Sequence, residues 1–366
     1  MDTISFARGV PSPDILPVEE LADCARAVIR REGRTILNYG PAAGYPPLRE
    51  WIAKRHGVGL SQVVLTPSSL LGFSFVMRHL FREGGRAVVE APSYDRTILV
   101  LEELGAGIVG IPMDEEGLDL DRLEALLSSA PAPRVLYTIP TFQNPSGRTL
   151  SLDRRRSLVE LARTSGLLIF EDDPYNLVRF DGEALPSLYE LAGGEGVVYA
   201  SSFSKTVAPG LRVGYVVVPE ELAGPVERIA NSTYISPPLL PQAAIHELIA
   251  RGQFEPNLGR TREVLRTRRD AMLDALAAEL PAEAAWSRPQ GGYFLWLDLP
   301  AGVSAAELLL RAEGAGVTFV KGTDFFAGAG GESSARLAFS FPTVDEIREG
   351  VRRLAALVRE TAAVPA

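Results

Sequence analysis

Short apolar runs alternate with stretches of helical periodicity through the middle of the chain. Between residues 86 and 219 these runs are RAVVEAP, GIVGIPM, RVLYTIP, GLLIFEDD, VVYASS and LRVGYVVV. Short runs rich in Val, Ile and Tyr are typical of buried strands, and their alternation with helices predicts a mainly parallel sheet. Ligands of such sheets bind beyond the carboxyl ends of the strands, so we expect a site at the loops TIPTFQNPSG and FEDDPY.

Two helices are predicted from their caps and their apolar spacing. Ser151 can cap the first turn of a helix, and Gly166 ends the apolar pattern that follows it. Near the start of the chain, apolar residues recur at helical spacing after Pro17, and Gly33 is the predicted stop. An extended arm and one helix therefore precede the first predicted strand.

The pattern changes after Pro281. A strand-like GGYFLWLDL is followed by a helix that begins at the capping box Ser304–Glu307, by the strands VTFV and RLAFSF, and by a last helix that begins at Thr343. The 366 residues exceed the roughly 250–300 at which a single core stops growing. We therefore expect three parts: an arm and helix that pack with the small domain (1–37), a large domain that includes an interdomain helix (38–258), and a small α+β domain (259–366).

Composition excludes some partners. The net charge of -9 disfavours binding to nucleic acid or to an anionic membrane, because both require clustered cations. No apolar run is long enough to span a membrane, and the first residues lack the pattern of a signal peptide. Cys24 is the single cysteine, so no disulfide framework forms and we expect a cytoplasmic location. Lysine is scarce, with only Lys54, Lys205 and Lys321, so a lysine inside a motif stands out.

Two short motifs resemble other chemistries. Gly105, Gly107 and Gly110 match G-x-G-x-x-G, but a helical segment precedes them and a strand-like segment follows, which is the reverse of a dinucleotide-binding turn. Ser202 and Lys205 form S-x-x-K, but the companion motifs of serine acyl-transfer enzymes are missing. Both alternatives are therefore weak.

Metal binding is also disfavoured. Asp172 and Asp173 follow an apolar strand, where paired carboxylates often hold magnesium. His56, His79 and His246 are scattered without the spacing of metal ligands. We expect no metal site.

Four segments carry the stronger signal: PTFQNPSG (140–147), FEDDPY (170–175), SSFSKTVAPGLRVG (201–214) and ARLAFSF (335–341). With NYGPAAGYPPLREW (38–51) and EAPSY (90–94) upstream, they resemble the class I/II aminotransferase family in order and spacing over nearly the whole chain. SFARGVPSPDILP, EDDPY and SFSK resemble its 2-aminoadipate and kynurenine aminotransferase branch most closely. The resemblance implies the fold type I of pyridoxal phosphate (PLP) enzymes, an α/β fold with a mixed, mainly parallel sheet flanked by helices and a smaller α+β domain.

The resemblance assigns catalytic roles to three residues. Lys205 would form a Schiff base with the cofactor aldehyde, which requires a primary amine, and would then relay the proton of the substrate. Asp172 ends a buried strand and needs a cation, which the resemblance identifies as the protonated pyridine nitrogen. Tyr175 and Asn144 resemble the pair that hydrogen-bonds the cofactor phenolic oxygen. The plainer alternatives are a surface lysine, a turn at Asp172–Asp173, a turn at Asn144 and a packed core tyrosine.

The cofactor phosphate would lie in a cup formed by two segments. The resemblance assigns this cup to Ser69, Leu70, Ser202, Ser204 and Arg212. Ser68 and Leu70 depart from the pattern, because the family usually has glycine and glutamine there. Backbone N–H donors survive any substitution except proline, so the cup does not depend on those side chains.

Two tyrosines complete the implied cofactor site. Tyr94 resembles the aromatic residue that stacks on the pyridine ring, and Tyr39 resembles a tyrosine that reaches the phosphate of the neighbouring subunit. The second match implies a homodimer with active sites at the subunit interface. Both tyrosines are alternatively core aromatics.

Substrate binding is assigned to the small domain and the arm. Arg336 would grip the substrate α-carboxylate through two parallel hydrogen bonds, with Asn144 beside it. Gly9 and Arg8 stand in SFARGVP, which lies near the substrate in relatives. Arg8 either binds a distal carboxylate or faces solvent, and the sequence favours neither.

The expected activity is transamination from an L-amino acid to a 2-oxo acid by a ping-pong mechanism, with 2-oxoglutarate as the default acceptor. Lyases, decarboxylases, synthases and oxidases also occur on this fold and are the nearest alternative. A transcription factor that carries this fold beside a DNA-binding domain is a third class. Only an arm and one helix precede Asn38, so we expect no winged helix here.

Overall fold

The computed structural model describes residues 3–362. The strands are β1 (Ile4–Ser5), β2 (Val63–Thr66), β3 (Arg86–Ala91), β4 (Gly107–Asp114), β5 (Gly117–Leu118), β6 (Val135–Thr138), β7 (Leu168–Asp172), β8 (Val197–Ser202), β9 (Gly214–Val217), β10 (Ala285–Trp286), β11 (Phe294–Asp298), β12 (Val317–Thr318), β13 (Val320–Lys321) and β14 (Ser334–Ala338). The helices are α1 (Val18–Ile36), α2 (Pro46–His56), α3 (Ser69–Leu80), α4 (Asp95–Glu103), α5 (Leu120–Leu127), α6 (Leu152–Ser165), α7 (Leu188–Leu191), α8 (Glu220–Tyr234), α9 (Leu239–Ala250), α10 (Phe254–Glu279), α11 (Ala305–Gly314) and α12 (Val344–Ala362).

The central sheet has eight strands in the order β2-β9-β8-β7-β6-β3-β4-β5. Strands β4, β3, β6, β7 and β8 are parallel, while β9 runs antiparallel to β8 and β2, and β5 antiparallel to β4. The expected mixed, mainly parallel sheet is therefore confirmed. Successive residues of β7 face opposite cores, with Ile169 on one face and Phe170 on the other.

The C-terminal strands form a second sheet, antiparallel throughout, in the order β10-β11-β14-β13. Helices α10 and α12 pack along each other beside it. The expected domain boundary at residue 258 falls inside α10, a continuous helix from Phe254 to Glu279. The division into large and small domains stays a prediction.

The first residues form a separate two-stranded sheet with β12, whereas the helix that follows them packs elsewhere. Strand β1 pairs in parallel with β12, with Ile4 opposite Val317. Helix α1, however, packs mainly against α9 rather than against the C-terminal part of the chain. Its buried residues Cys24 and Val28 belong to the same core as Leu248 of α9, because the apolar stripe of α1 is covered only there.

Helix ends are predicted well where a side chain caps them. Ser151 accepts a hydrogen bond from the first turn of α6, and Gly166 ends that helix in the left-handed conformation, as expected. The expected stop at Gly33 falls one residue after a kink at the non-helical Glu32, where the first helical segment of α1 ends, and a second short segment continues to Ile36. Ile36 is buried, and its burial outweighs the weak helix propensity of glycine.

None of the helices between residues 3 and 362 combines the length and the apolar character that a membrane crossing requires. Within the same range, no three His, Cys, Asp or Glu side chains gather closely enough to hold a metal ion.

Candidate active site

A cavity of about 880 Å³ lies at the carboxyl ends of the parallel strands, between the central sheet, β14 and the first residues of the chain. The strand ends bring the loops after β3, β6, β7 and β8 to one edge, as expected for an open α/β sheet. The cavity is lined by twelve of the fourteen predicted site residues: Gly9, Ser69, Leu70, Tyr94, Asn144, Asp172, Tyr175, Ser202, Ser204, Lys205, Arg212 and Arg336.

Lys205 extends into the cavity from the loop after β8. Its Nζ donates a hydrogen bond to the carbonyl oxygen of Gly9 at 2.7 Å. Loss of solvent contact lowers the pKa of Lys205 to about 8, and the nearby guanidinium groups of Arg336 and Arg212 act in the same direction. A substantial fraction of this amine is therefore neutral, and thus nucleophilic, in mildly alkaline solution.

Asp172 is the last residue of β7 and is buried. Its Oδ2 accepts a hydrogen bond from the Tyr137 hydroxyl at 2.9 Å, while its Oδ1 has no partner among the described residues. Burial raises the pKa of Asp172 to about 6. The next residue, Asp173, faces away and accepts from the Tyr199 hydroxyl at 3.0 Å. Asp172 thus lines the cavity and keeps one buried carboxylate oxygen without a partner among the described residues, which suits a cationic ring nitrogen.

Helix α3 begins at the cavity wall. Ser68 caps it by accepting a hydrogen bond from the Leu71 amide at 3.1 Å. Ser68 is thus engaged with its own helix, and the first-turn amides, which lack partners inside a helix, adjoin the cavity at Ser69 and Leu70. Such a helix start attracts anions.

The segment after β8 forms the opposite wall. The two walls together, with Ser69, Leu70, Ser202, Ser204 and Arg212, are called the anion cup below. The Ser202 hydroxyl donates to Ser204 Oγ at 2.8 Å and accepts from the Ser204 amide at 3.0 Å. Arg212 has a left-handed backbone (φ 53°), and its exposed guanidinium donates to the Pro209 carbonyl at 3.2 Å. Two hydroxyls, a guanidinium and a helix start together suit a dianionic phosphate.

Arg336 reaches the cavity from β14. Its Nη1 donates to Asn144 Oδ1 and its Nη2 to the Ala7 carbonyl, both at 2.9 Å. The buried Nε has no partner among the described residues. The rings of Phe294 and Phe325 lie 4.3 and 5.0 Å from the guanidinium. This desolvated cation keeps bonding capacity for a carboxylate.

Two tyrosines contribute to the same cavity. Burial raises the pKa of Tyr94 to about 12 and moves the pKa of Tyr175 well above its usual value. The ring of Tyr175 packs against Tyr293 and Phe294, and Lys205 Nζ lies 5.9 Å from its centre. Both hydroxyls therefore stay protonated at neutral pH and are able to donate hydrogen bonds.

Two predicted site residues do not line the cavity. Arg8 is exposed and lies in a separate cleft, with its guanidinium 5.0 Å from the ring of Phe341. Its neighbours Ala7 and Gly9 line the cavity, and backbone alternation in this extended segment turns Arg8 away. Of the two alternatives for Arg8, its position outside the cavity of its own chain favours the one that faces solvent. Tyr39 is 77% exposed and lies outside the cavity of its own chain.

Sequence reasoning missed several residues at the site. Tyr137 hydrogen-bonds Asp172, and its only signal was a hydroxyl-bearing residue inside an apolar strand. Gln143 is completely buried beside Asn144, and its only signal was its place in the PTFQNPSG segment. Phe294 and Phe325 flank Arg336, but nothing in their local sequence distinguished them from other core aromatics.

Together these groups suit a ligand with three features. The free oxygen of Asp172 suits a ring cation, the amine of Lys205 suits an aldehyde, and the anion cup suits a phosphate. Arg336 adds a place for the carboxylate of a second molecule.

Comparisons with known proteins agree with this chemistry. Residues 2–354 match the family described as aminotransferase class I and II. The chain is 41% identical over 354 residues to a 2-aminoadipate transaminase of Thermus thermophilus, an alignment that covers 96% of this chain and 89% of the relative.

Solved structures give the same picture. An α-aminoadipate aminotransferase from Thermus thermophilus, complexed with N-(5'-phosphopyridoxyl)-L-leucine, superposes with a TM-score of 0.94 at 40% identity and covers 99% of this chain and 93% of its own. A kynurenine aminotransferase from Pyrococcus horikoshii gives 0.95 at 33% identity, with 100% and 92% covered.

Proposed function

The chain belongs to the family of class I and II aminotransferases, which makes it a PLP-dependent aminotransferase, and on that premise we propose that Lys205 carries the coenzyme and that 2-oxoglutarate is the amino acceptor. The single observation that carries the assignment of Lys205 is its place in one cavity with Asp172, where a buried primary amine and a buried carboxylate with one unpartnered oxygen line the same space.

When bound, the coenzyme supplies an aldehyde for Lys205 and an aromatic ring that accepts electrons from the substrate Cα. The residues of the chain orient the coenzyme and move protons. Asp172 would keep the ring nitrogen protonated, and Lys205 Nζ would move the α-proton of the substrate. Tyr175 and Asn144 donate to the phenolic oxygen, and Tyr94 packs on the ring. The roles of these five residues are our proposals.

Anions are held by groups at the two ends of the cavity. Ser69, Leu70, Ser202, Ser204 and Arg212 bind the coenzyme phosphate through hydroxyls, a guanidinium and helix-start amides. Arg336 binds the α-carboxylate of the amino acid, and its bond to Asn144 fixes the plane of the guanidinium. Gly9 contributes its carbonyl to Lys205, and the ring of Phe294 occupies the space where a side chain would lie.

The donor is an L-amino acid, and we propose large side chains among its substrates. Ile98, Leu99, Phe325 and Phe326 contribute apolar side chains to the lining of the cavity. Relatives are named for 2-aminoadipate, kynurenine and aromatic amino acids, which gives the first compounds to screen.

We further propose a homodimer in the cytoplasm. Leu37 and Tyr39, two residues apart and 65% and 77% exposed, support the dimer, since a second chain would cover their apolar surface. Cys24, buried and without a disulfide, suits a reducing compartment.

The test starts from the purified protein loaded with PLP. We expect a visible absorbance band, a borohydride-stable mass adduct on Lys205, and loss of both in Lys205→Ala. Donor amino acids should bleach the band, and 2-oxoglutarate should restore it, with parallel-line steady-state kinetics. An adduct on another residue would contradict the assignment of Lys205. Stoichiometric ammonia or CO₂ without any acceptor would identify a lyase or decarboxylase instead.

A further inference from the structure

A buried carboxylate outside the cavity lining is attached to the loop that carries Asn144. Glu90, near the end of β3, accepts three hydrogen bonds: from Thr138 Oγ1 at 2.6 Å, from Gln143 Nε2 at 3.0 Å and from the Ile139 amide at 3.2 Å. Only 2% of Glu90 is exposed. All three donors belong to the end of β6 and the loop that follows it.

Gln143 uses its remaining bonding capacity on the same two loops. Its Nε2 also donates to the Pro92 carbonyl at 2.8 Å, and its Oε1 accepts from the Ser146 amide at 2.8 Å. Gln143 is completely buried. Its amide group therefore joins the end of β3 to the loop after β6 through side chain and main chain at once.

The two segments that Gln143 joins both lead to residues of the active site. Asn144 follows Gln143 directly, and its Oδ1 accepts from Arg336. Tyr94 lies two residues beyond Pro92 and lines the cavity. A shift in either contact of Gln143 would therefore move Asn144 relative to Tyr94.

We infer that Glu90 and Gln143, the Glu90–Gln143 clamp, are positioning residues that hold Asn144 and Tyr94 at the distance the coenzyme ring requires. This inference rests on the proposed function of those two residues. Burying a carboxylate is costly, and an apolar pair would fill the same space without that cost. An apolar pair would, however, remove the partners of Pro92, Ile139 and Ser146, so it is the hydrogen-bond geometry that the clamp supplies.

The chain offers variants that separate positioning from packing. Glu90→Gln is the conservative change: its amide oxygen accepts from Ile139 and Gln143, and its NH₂ donates to Thr138, whose hydroxyl accepts as well as donates. Gln143→Leu removes every side-chain bond at nearly constant volume. Gln143→Glu places a second carboxylate against Glu90, and the double variant with Glu90→Gln restores a donor between the two positions.

Gln242→Leu is the matched control. Gln242, on helix α9, is also a buried glutamine, and its Oε1 accepts a hydrogen bond from the Tyr45 amide at 2.8 Å. It does not line the cavity. The same substitution therefore removes a buried amide of equal size with no link to Asn144.

The experiment measures the absorbance of the PLP-loaded proteins against pH, together with KM and kcat for one donor. In Gln143→Leu we expect the pH midpoint of the coenzyme band to rise by about one unit, because a misplaced Asn144 no longer donates to the phenolic oxygen and the deprotonated form loses stabilisation. We expect KM to rise about tenfold, which equals roughly 1.4 kcal/mol, because Arg336 loses its fixed partner.

The remaining variants decide the interpretation. Glu90→Gln should stay within about twofold of the wild type, since one bond is worth less than a tenfold change. Gln143→Glu should exceed the defect of Gln143→Leu, and the double variant should recover part of it. Gln242→Leu should unfold more easily but keep the wild-type midpoint.

A wild-type midpoint and KM in Gln143→Leu would overturn the inference, as would an equal shift in Gln242→Leu. If Gln143→Leu does not fold, the comparison of Gln143→Glu with the double variant decides, and no recovery counts against the clamp. A failure of the proposed function is a different result, because the wild type itself would then carry no adduct on Lys205.

Discussion

At the scale of single residues, the site contains a charge that the chain alone does not compensate. Asp172 is buried, and one of its carboxylate oxygens has no partner among residues 3–362. Its raised pKa means that the ionised form costs folding free energy at neutral pH. This cost is recovered when a cation binds beside it, so the same residue disfavours the empty chain and favours the loaded one.

Asp172→Asn should therefore stabilise the coenzyme-free protein while abolishing tight coenzyme binding. The pKa of Asp172 is about 6 in the fold against an ordinary 3.8, so the cost is complete above about pH 6 and disappears as the pH falls towards 4. We expect a gain of ~1–3 kcal/mol in the free energy of unfolding at pH 7.5, measured with denaturant and without PLP.

Asp114→Asn is the control with the opposite sign, because a hydrogen bond from Arg154 lowers the pKa of Asp114. We expect a small loss of stability in that variant at the same pH. A coenzyme-free Asp172→Asn protein less stable than the wild type would show that the carboxylate is already compensated.

Residues whose chemistry is rare were predictable from sequence. Lys205 is one of three lysines, and Asp172 follows a long apolar run, so both stood out and both line the cavity. Gln143 and Tyr137 were missed because their contacts join strands that are distant in sequence. Arg8 was ambiguous because alternation in a short arm depends on where pairing begins, which local sequence does not determine.

At the scale of elements, the start of α3 depends on one glycine in β9. Gly214 is paired with Thr66 of β2 and Ser202 of β8. A Cβ atom added there would lie 2.6 Å from the Ser69 amide nitrogen and 2.7 Å from the Ser68 carbonyl carbon. Since both neighbours are backbone, the helix start approaches the sheet only because this strand residue lacks a side chain.

Gly214→Ala should displace the first turn of α3 from the anion cup. We expect coenzyme affinity to fall at least about tenfold, and the free energy of unfolding to fall by ~1–3 kcal/mol, as for other overpacked sites. PLP titration by fluorescence and denaturant unfolding measure the two effects.

Gly210→Ala is the matched control in the segment just before β9, because no heavy atom lies within 4 Å of its added Cβ. Its stability should change by less than about 0.5 kcal/mol. Unchanged affinity in Gly214→Ala would mean that the start of α3 does not hold the phosphate.

Elements were predictable to the extent that local signals define them. The cap at Ser151 and the capping box at Thr343 gave correct helix starts, since each depends on a side chain within the first turn. Strand β10 has only two residues, which is too short for a periodic pattern, and the predicted strand VTFV is divided into β12 and β13, which pair with different partners. Local sequence indicated the break of α1 near Gly33, whereas the short segment that follows the kink at Glu32 depends on the burial of Ile36.

At the scale of the whole molecule, the chain leaves one predicted site residue far from its own cavity. Tyr39 is highly exposed, and Leu37 beside it is 65% exposed. Sequence alone could suggest this arrangement only through the family resemblance, because no local pattern distinguishes a side chain that serves another subunit. The exposure is what a residue reserved for a second copy of the chain requires.

Subunit complementation tests the dimer. Tyr39→Ala should weaken coenzyme binding, and Lys205→Ala should be inactive, so neither variant alone should work at limiting PLP. Co-expression of the two should restore activity, because a mixed dimer contains one site with both Lys205 and the Tyr39 of the other chain. Sedimentation should give twice the chain mass of 39.5 kDa.

A mass equal to one chain would contradict the dimer. Activity no greater than the sum of the separate variants would contradict the exchange of Tyr39 between subunits. Co-expression of Lys205→Ala with itself under a second affinity tag controls for contamination by wild-type enzyme.

The arm bonds described above have a consequence for how the protein tolerates change. Arg336 and Lys205 both donate to main-chain carbonyls, those of Ala7 and Gly9. Every amino acid carries a main-chain carbonyl, so a substitution at residue 7 keeps the acceptor and is restricted only by the size of the new side chain. Residue 9 stays glycine because a Cβ would collide with Phe294. Alanine scanning would therefore overlook this contribution, whereas deleting the segment would remove the carbonyl acceptors of both Arg336 and Lys205.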